Sequence, residues 1–286
     1  HPPIVLGHEF AGTVVAVGGA VKNRKEGDRV DVDPNVLCEA CPYCLSAKGH
    51  FCEHMTGIGT MVNGGFAEYV AVPAKQTHLV SDGCSLMKAA MTEPLACCLH
   101  GIDMCDIRPG DRVCVIGAGM IGLIMLQLAR LSGAAFVAVS EPVAAKRQEA
   151  EKLGADLCLD PSSMPEDAFL SLCGKYDFNC VIECAGLTRT IEQAVRIAGK
   201  KATVMMFGLT KPDDAISLKP YDVFSKELTL RSSYINPYTQ ARALALIENG
   251  RVDVSGMVCE PIPLEKLGEV LASPQLRARG KYVVKL

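Results

Sequence analysis

No stretch of roughly 18 consecutive apolar residues occurs in the sequence, so no transmembrane helix is expected. The first residues, His1-Pro2-Pro3, lack the basic segment followed by an apolar one that marks a secretory leader. Neither sign of charge dominates: 29 Lys and Arg against 32 Asp and Glu leave a net charge of −3. That balance gives no electrostatic footprint for a nucleic-acid backbone or an anionic membrane, and neither partner is expected. Internal repeats and low-complexity segments are also missing, which excludes solenoids and disordered arrays. What is present is ordinary for a globular protein, with 49% hydrophobic and 21% charged residues. At 286 residues the chain can bury two separate cores. Small-molecule chemistry is the reading these exclusions leave.

Of the 14 cysteines, four fall in one tight cluster and the rest are scattered singly, as reduced thiols in a cytoplasmic protein would be. Residues 4 to 75 alternate glycine with short valine-rich runs such as Thr13-Val14-Val15-Ala16-Val17 and Arg29-Val30-Asp31-Val32, a texture that predicts a compact β domain. From about residue 111, apolar strands alternate with helical patterns, the signature of a parallel sheet covered by helices. Strands are expected at Arg112 to Ile116, Ala135 to Ser140, Cys180 to Cys184 and Ala202 to Phe207. Helices are expected at Ile121 to Leu131, Val143 to Leu153, Thr190 to Ala198 and Tyr238 to Asn249, with Gly154 and Gly250 as stops. Lys281 to Leu286 reads as a closing strand.

Gly117-Ala118-Gly119-Met120-Ile121-Gly122 follows the first of these strands and opens a helix, with the spacing G-x-G-x-x-G. The first glycine permits a tight turn, the second lets backbone approach a pyrophosphate, and the third lets helix and strand pack closely. Unpaired N–H groups at the helix start then face the phosphates. Nineteen positions beyond Gly122, at the end of the next strand, Glu141 can accept hydrogen bonds from both ribose hydroxyls of NAD and repel a 2′-phosphate. The competing reading makes Glu141 a helix cap only. Lys146 and Arg147 keep NADP open as the second choice, although such charges more often face solvent.

Cys38, Cys41, Cys44 and Cys52 have the spacing C-x2-C-x2-C-x7-C, close enough for four thiolates to meet one zinc ion tetrahedrally. A site with no open position is structural. The alternatives are four unrelated core cysteines, or a zinc ribbon for nucleic acid, which the missing basic patch disfavours.

With Gly7-His8-Glu9, Gly64-Gly65-Phe66-Ala67-Glu68-Tyr69, Glu93-Pro94-Leu95-Ala96 and Glu183-Cys184-Ala185-Gly186 added to these motifs, the chain resembles the zinc-containing medium-chain alcohol dehydrogenases. Within them it is most similar to the sorbitol, threonine and polyol group. The resemblance runs from Ile4 to Leu286 and implies an α/β protein. A GroES-like catalytic domain would occupy residues 1–97, a Rossmann domain with its doubly wound parallel sheet 98–234, and a segment returning to the catalytic domain 235–286.

The resemblance also implies a catalytic zinc held by His8, by a carboxylate and by a cysteine from upstream. Glu9 and Glu93 are both candidates for the carboxylate, with Glu9 on the metal and Glu93 holding the bound water or substrate in the sorbitol dehydrogenase pattern. Phe207-Gly208-Leu209 would complete the nicotinamide pocket; a plain turn glycine at 208 is the alternative. The implied reaction is hydride transfer between NAD and a secondary alcohol, with zinc polarising the hydroxyl. A homodimer or homotetramer is the family's expected assembly.

Two departures bear on this. The sequence has no initial Met and opens six residues before Gly7-His8-Glu9, so its beginning reads as cut, and the upstream ligands lie in the part this chain does not have. A weak catalytic site, or an impaired NAD-binding remnant, is the alternative this raises. Sorbitol dehydrogenases carry Phe-Arg-Tyr from the position of Tyr234, the arginine facing the polyol site, and this chain has Ile235 in that arginine's place, which puts sorbitol itself in doubt. A zinc-free quinone-reductase-like relative is disfavoured by the cysteine lobe and by His8-Glu9. Cys97 and Cys98, just beyond Glu93, could approach the active site, though buried small side chains are the simpler reading.

Overall fold

Short strands punctuated by glycine and proline build the first of two units in the computed structural model, which describes residues 3–277 and 279–286. This unit comprises His1–Cys97 with Ile235–Leu286. Strand β1 (Ala11–Thr13) pairs antiparallel with β2 (Arg29–Val32), which pairs antiparallel with β5 (Thr77–Leu79). Between β2 and β5, β3 (Asn35–Val36) pairs with β4 (Thr56–Gly57), and the cysteine lobe hangs between them with its one-turn helix α1 (Pro42–Leu45). Helix α2 (Leu86–Ala89) is capped by Ser85, whose hydroxyl accepts from Lys88 N at 3.2 Å, and α3 (Thr92–Asp103) follows.

The valine run after β1 departs from expectation. Backbone pairing continues one residue further, with Val14 N donating to Asp28 O, but Val15 and Val17 are exposed. β-branched side chains favour extended backbone, yet a strand also needs an edge to pair with, and among the described residues none runs beside these two.

Residues Cys98–Tyr234 form the second unit. Here β6 (Arg112–Ile116), β7 (Phe136–Ser140), β8 (Leu157–Leu159), β9 (Phe178–Glu183), β10 (Ala198–Met206) and β11 (Thr229–Ser232) lie in the order β11-β10-β9-β6-β7-β8. Every pairing is parallel. This is the Rossmann order, reversing at β6. Runs such as Val113-Cys114-Val115-Ile116 and Val137-Ala138-Val139-Ser140 are buried throughout, because helices cover a parallel sheet on both faces. Helix α4 (Met120–Leu131) is buried from Gly122 to Ala129. α5 (Ala144–Lys152), α6 (Glu166–Gly174), α7 (Thr188–Ile197) and α8 (Pro220–Lys226) complete the connections. Phe169, Phe178, Val181, Ala194 and Val204 belong to the core between sheet and helices.

After residue 234 the chain rejoins the first unit through buried amides. Gln240 Nε2 donates to Asp31 Oδ2 at 2.8 Å, Asn236 Nδ2 to Gln240 Oε1 at 3.0 Å, and Asn35 Nδ2 to Asn236 Oδ1 at 2.6 Å. The helix here, α9 (Gln240–Glu248), starts later than its apolar pattern predicts, because Tyr238 has a φ of +59° and cannot be helical. Lys281 to Leu286 is likewise no strand. Among the described residues it forms only the single bridges Val258 to Lys281 and Ile262 to Val284, following Gly280 at φ +155°.

Candidate active site and metal centres

The cysteine lobe meets the demands of a tetrahedral ion. A Zn–S distance of about 2.3 Å places sulfurs about 3.8 Å apart, and Cys38 and Cys44 Sγ are 3.9 Å apart. All four sulfurs lie within 4.8 Å of one another. Backbone amides already serve them: Cys41 N donates to Cys38 Sγ at 3.3 Å and Cys38 N to Cys52 Sγ at 3.4 Å. N–H groups of Cys44 and Glu53 draw the Cys41 thiol down to about 6, and that of Cys38 lowers Cys52. Burial, then hydrogen bonds with Cys41 and Cys52, pushes Cys44 up to about 12. Four sulfurs this close cannot all ionise without a cation, and a divalent ion at their centre removes that conflict. The donor set fits zinc and leaves no position for substrate.

A second cluster lies in the same unit. Donor atoms of His8, Glu9 and Glu93 fall within 4.8 Å of one another. His8 and Glu9 line a groove of about 1580 Å³ together with Lys281. The segment bearing His8 is fixed by the glycine-rich run 59–66: Gly65 N donates to Gly7 O at 2.8 Å and Phe66 N to Leu6 O at 3.0 Å. A Cβ on Gly59 or Gly64 would collide with the Gly7 carbonyl, which explains the glycines there. Glu93 stands in the first turn of α3, buried, whereas the His8 side chain is 43% exposed. His8 Nε2 is 3.8 Å from Glu9 Oε1, and the Lys281 ammonium pairs with Glu9 Oε2. Burial, then the Glu9 charge, raises Glu93 to about 7, against the Cys97 thiol and Lys281. Two carboxylates crowded beside an imidazole at this cost suit a divalent cation. Sequence reasoning missed Lys281, a long-range neighbour with no local signal.

The glycine turn has the geometry its spacing predicts. Gly117 turns at φ +96°, its N–H donating to Ser140 O at 2.8 Å. A Cβ on Gly122 would strike the Gly117 carbonyl, whereas one on Gly119 would meet nothing within 4 Å. The first helical bond of α4 runs from Leu123 N to Gly119 O, so the N–H groups of Met120 and Ile121 have no partner within the helix. Glu141 is buried beside this turn and accepts from Ala118 N at 2.8 Å through one oxygen and from Val143 N at 2.9 Å through the other. Each oxygen keeps one lone pair for a further donor. Lys146 is half-buried at the start of α5. Arg147 is committed elsewhere, donating to the Glu141 and Pro142 carbonyls and pairing with Asp160 at 3.1 Å.

Phe207 and Gly208 both donate backbone N–H to Glu183 O, at 3.0 and 2.9 Å. A Cβ on Gly208 would run into Gly186 N, so this glycine answers a close approach of two loops. Leu209 is 94% exposed. Glu183, fully buried, accepts from Ala185 N, Gly186 N and the Thr190 hydroxyl through one oxygen, fixing the loop that faces Gly208.

Residues 1–82 match the alcohol dehydrogenase GroES-like domain, and residues 121–249 match the zinc-binding dehydrogenase domain. D-arabinitol dehydrogenase 1 of Uromyces fabae is 30% identical over 99% of this chain and 82% of its own length. D-arabitol-phosphate dehydrogenase of Enterococcus avium is 32% identical over 93% of this chain and 78% of its own. Among solved structures, a zinc-binding dehydrogenase of Sinorhizobium meliloti 1021 bound to NADP superposes with a TM-score of 0.95 at 37% identity, covering 100% of this chain and 84% of that one. Galactitol-1-phosphate dehydrogenase of Escherichia coli gives 0.89 at 28%, covering 100% and 85%.

Proposed function

This chain belongs to the zinc-containing medium-chain alcohol dehydrogenase family, and on that premise we propose that it transfers a hydride between NAD and a secondary alcohol of polyol or sugar-derived type. The observation that carries this reading is the convergence of His8, Glu9 and Glu93 in one groove-side cluster. Zinc bound there supplies a Lewis acid, and nicotinamide supplies the hydride acceptor. The residues do the positioning. His8 and Glu9 are the metal donors, Lys281 holds the far oxygen of Glu9, and Glu93 converges on the same ion as a further donor, directly or through a bound water. Cys38, Cys41, Cys44 and Cys52 hold a second, structural zinc.

NAD is the cofactor that the dinucleotide site favours. Gly117, Gly119 and Gly122 shape the phosphate turn, Met120 and Ile121 offer their N–H groups, and Glu141 takes the ribose hydroxyls. Its carboxylate repels a 2′-phosphate, and Arg147 is too engaged to answer one. On this reading Lys146, half-buried at the start of α5, is assigned to the ribose end, and Phe207, Gly208 and Leu209 to the nicotinamide end. NADP is the second reading, supported by the Sinorhizobium relative.

The relatives named for arabinitol, arabitol phosphate and galactitol phosphate support a polyol or its phosphate as substrate. Oxidation assays across polyols, polyol phosphates and simple primary alcohols test this; turnover confined to the primary alcohols would exclude the polyol reading. All 14 cysteines are free of disulfides, which supports a reducing compartment such as the cytoplasm, and no helix among the described residues is long and apolar enough to cross a membrane. A homodimer or homotetramer is supported by the exposed Tyr221 and Phe224 on α8 and is checked by light scattering.

A further inference from the structure

Cys97 lies one turn beyond Glu93 on α3, and side chains four residues apart share a helix face. Helical side chains lean toward the preceding turn, so a donor at 97 points back at a carboxylate at 93. The Cys97 thiol donates to Glu93 Oε1 at 3.3 Å. The helix itself has little room to adjust. Leu95 and Ala96 are fully buried, and the Thr239 hydroxyl donates to the Ala96 carbonyl at 2.7 Å. With the backbone of this turn pinned, the freedom left to the carboxylate is in the torsions of Glu93 alone.

We propose that Cys97 is a positioning residue for the His8, Glu9 and Glu93 centre: its thiol holds one oxygen of Glu93 and so keeps the carboxylate within reach of the other two donors. The inference rests on reading those three residues as a metal centre. Cys97 does not itself belong to the group of converging donor atoms among the described residues, so its effect passes through Glu93. Without the thiol, Glu93 regains rotamers that metal binding must remove, and affinity falls for that reason. Partners that orient a ligand from behind are worth about 10-fold to 100-fold in metal affinity, and a neutral thiol, a weak donor, belongs at the lower end.

The test is cobalt(II) titration with a competing chelator of wild type and the variants C97A, C97V and C97S. Thiolate-to-metal charge-transfer bands report the four-cysteine lobe, and the weaker bands of a nitrogen and oxygen site report the second centre, so each is read separately. C97A and C97V are expected to bind cobalt at the second centre about tenfold more weakly, with the cysteine lobe unchanged and C97S within about twofold of wild type because its hydroxyl restores the donor. The valine variant keeps the side chain's bulk, so it separates lost packing from a lost hydrogen bond. Equal affinity of C97A and wild type would overturn the proposal, as would a C97S value as low as that of C97A. A wild-type protein that takes cobalt only in its cysteine lobe would instead overturn the metal-centre reading, and the proposal with it.

Discussion

Alanine at two glycines of the same turn should give opposite phenotypes. At Gly122 an added Cβ falls on the Gly117 carbonyl, a backbone atom that cannot swing away without opening the turn between β6 and α4. Overpacking of this kind typically costs about 1–3 kcal/mol, and a rigid backbone neighbour puts G122A near the upper figure. At about 2–4 °C per kcal/mol for a protein of this size, the melting temperature should drop by roughly 6–12 °C. At Gly119 the same methyl enters open space, on a backbone with φ −70° and ψ −179° that alanine adopts freely. The entropy gain of about 0.4–1 kcal/mol from replacing glycine is offset by alanine's poor performance as a helix cap, so stability should stay level. That open space is where the pyrophosphate is read to approach, and NAD affinity should fall at least about tenfold, or about 1.4 kcal/mol. Thermal unfolding of both variants without cofactor, followed by calorimetric titration with NAD, measures each effect separately. A G119A protein that binds NAD like wild type would refute the reasoning, as would equal thermal losses for the two variants.

Replacing Cys44 by serine should release the lobe's zinc and make residues 35–57 the first segment cut by protease, while α4 and the parallel sheet stay protected; hydrogen exchange with mass detection checks this. Burial pushes Asp31 up to about 8, so the folded state keeps a proton that the unfolded chain, with an ordinary aspartate value of about 3.9, has released. Stability from this group is therefore full at low pH and is lost as pH rises through that window. D31N should flatten the decline in unfolding free energy between about pH 5 and 8, measured by denaturant titration, and an unchanged slope would count against the buried proton. Glu141→Ala removes the ribose acceptor and the repulsion together, so the ratio of NAD to NADP affinity should fall by about tenfold or more, read from titrations with both cofactors.

The parallel sheet was legible because β6, β7 and β9 are buried on both faces and read as continuous apolar runs, and because alternating helices announce the crossovers. The cysteine lobe was legible because its four converging sulfurs come from residues close in sequence. Local pattern failed where partners decide structure. Val15 and Val17 have strand propensity without a pairing edge, and Tyr238 carries a helical pattern on a backbone turned to positive φ. The carboxylates of the second centre could be named from motifs, and the Glu93 to Cys97 spacing puts the two on one helix face. The pairing of Lys281 with Glu9 is a consequence of the return segment alone, stitched to the first unit by Asn236 and Gln240.

Direct hydride transfer is the claim on which the rest depends. A polyol carrying deuterium on its carbinol carbons, incubated with NAD and metal-replete protein, should yield reduced nicotinamide carrying one deuterium, detected by mass. Transfer should vanish on replacing both His8 and Glu9 by alanine, with the zinc of the cysteine lobe retained. Reduced cofactor without deuterium, or transfer undiminished in the doubly substituted protein, would contradict the account.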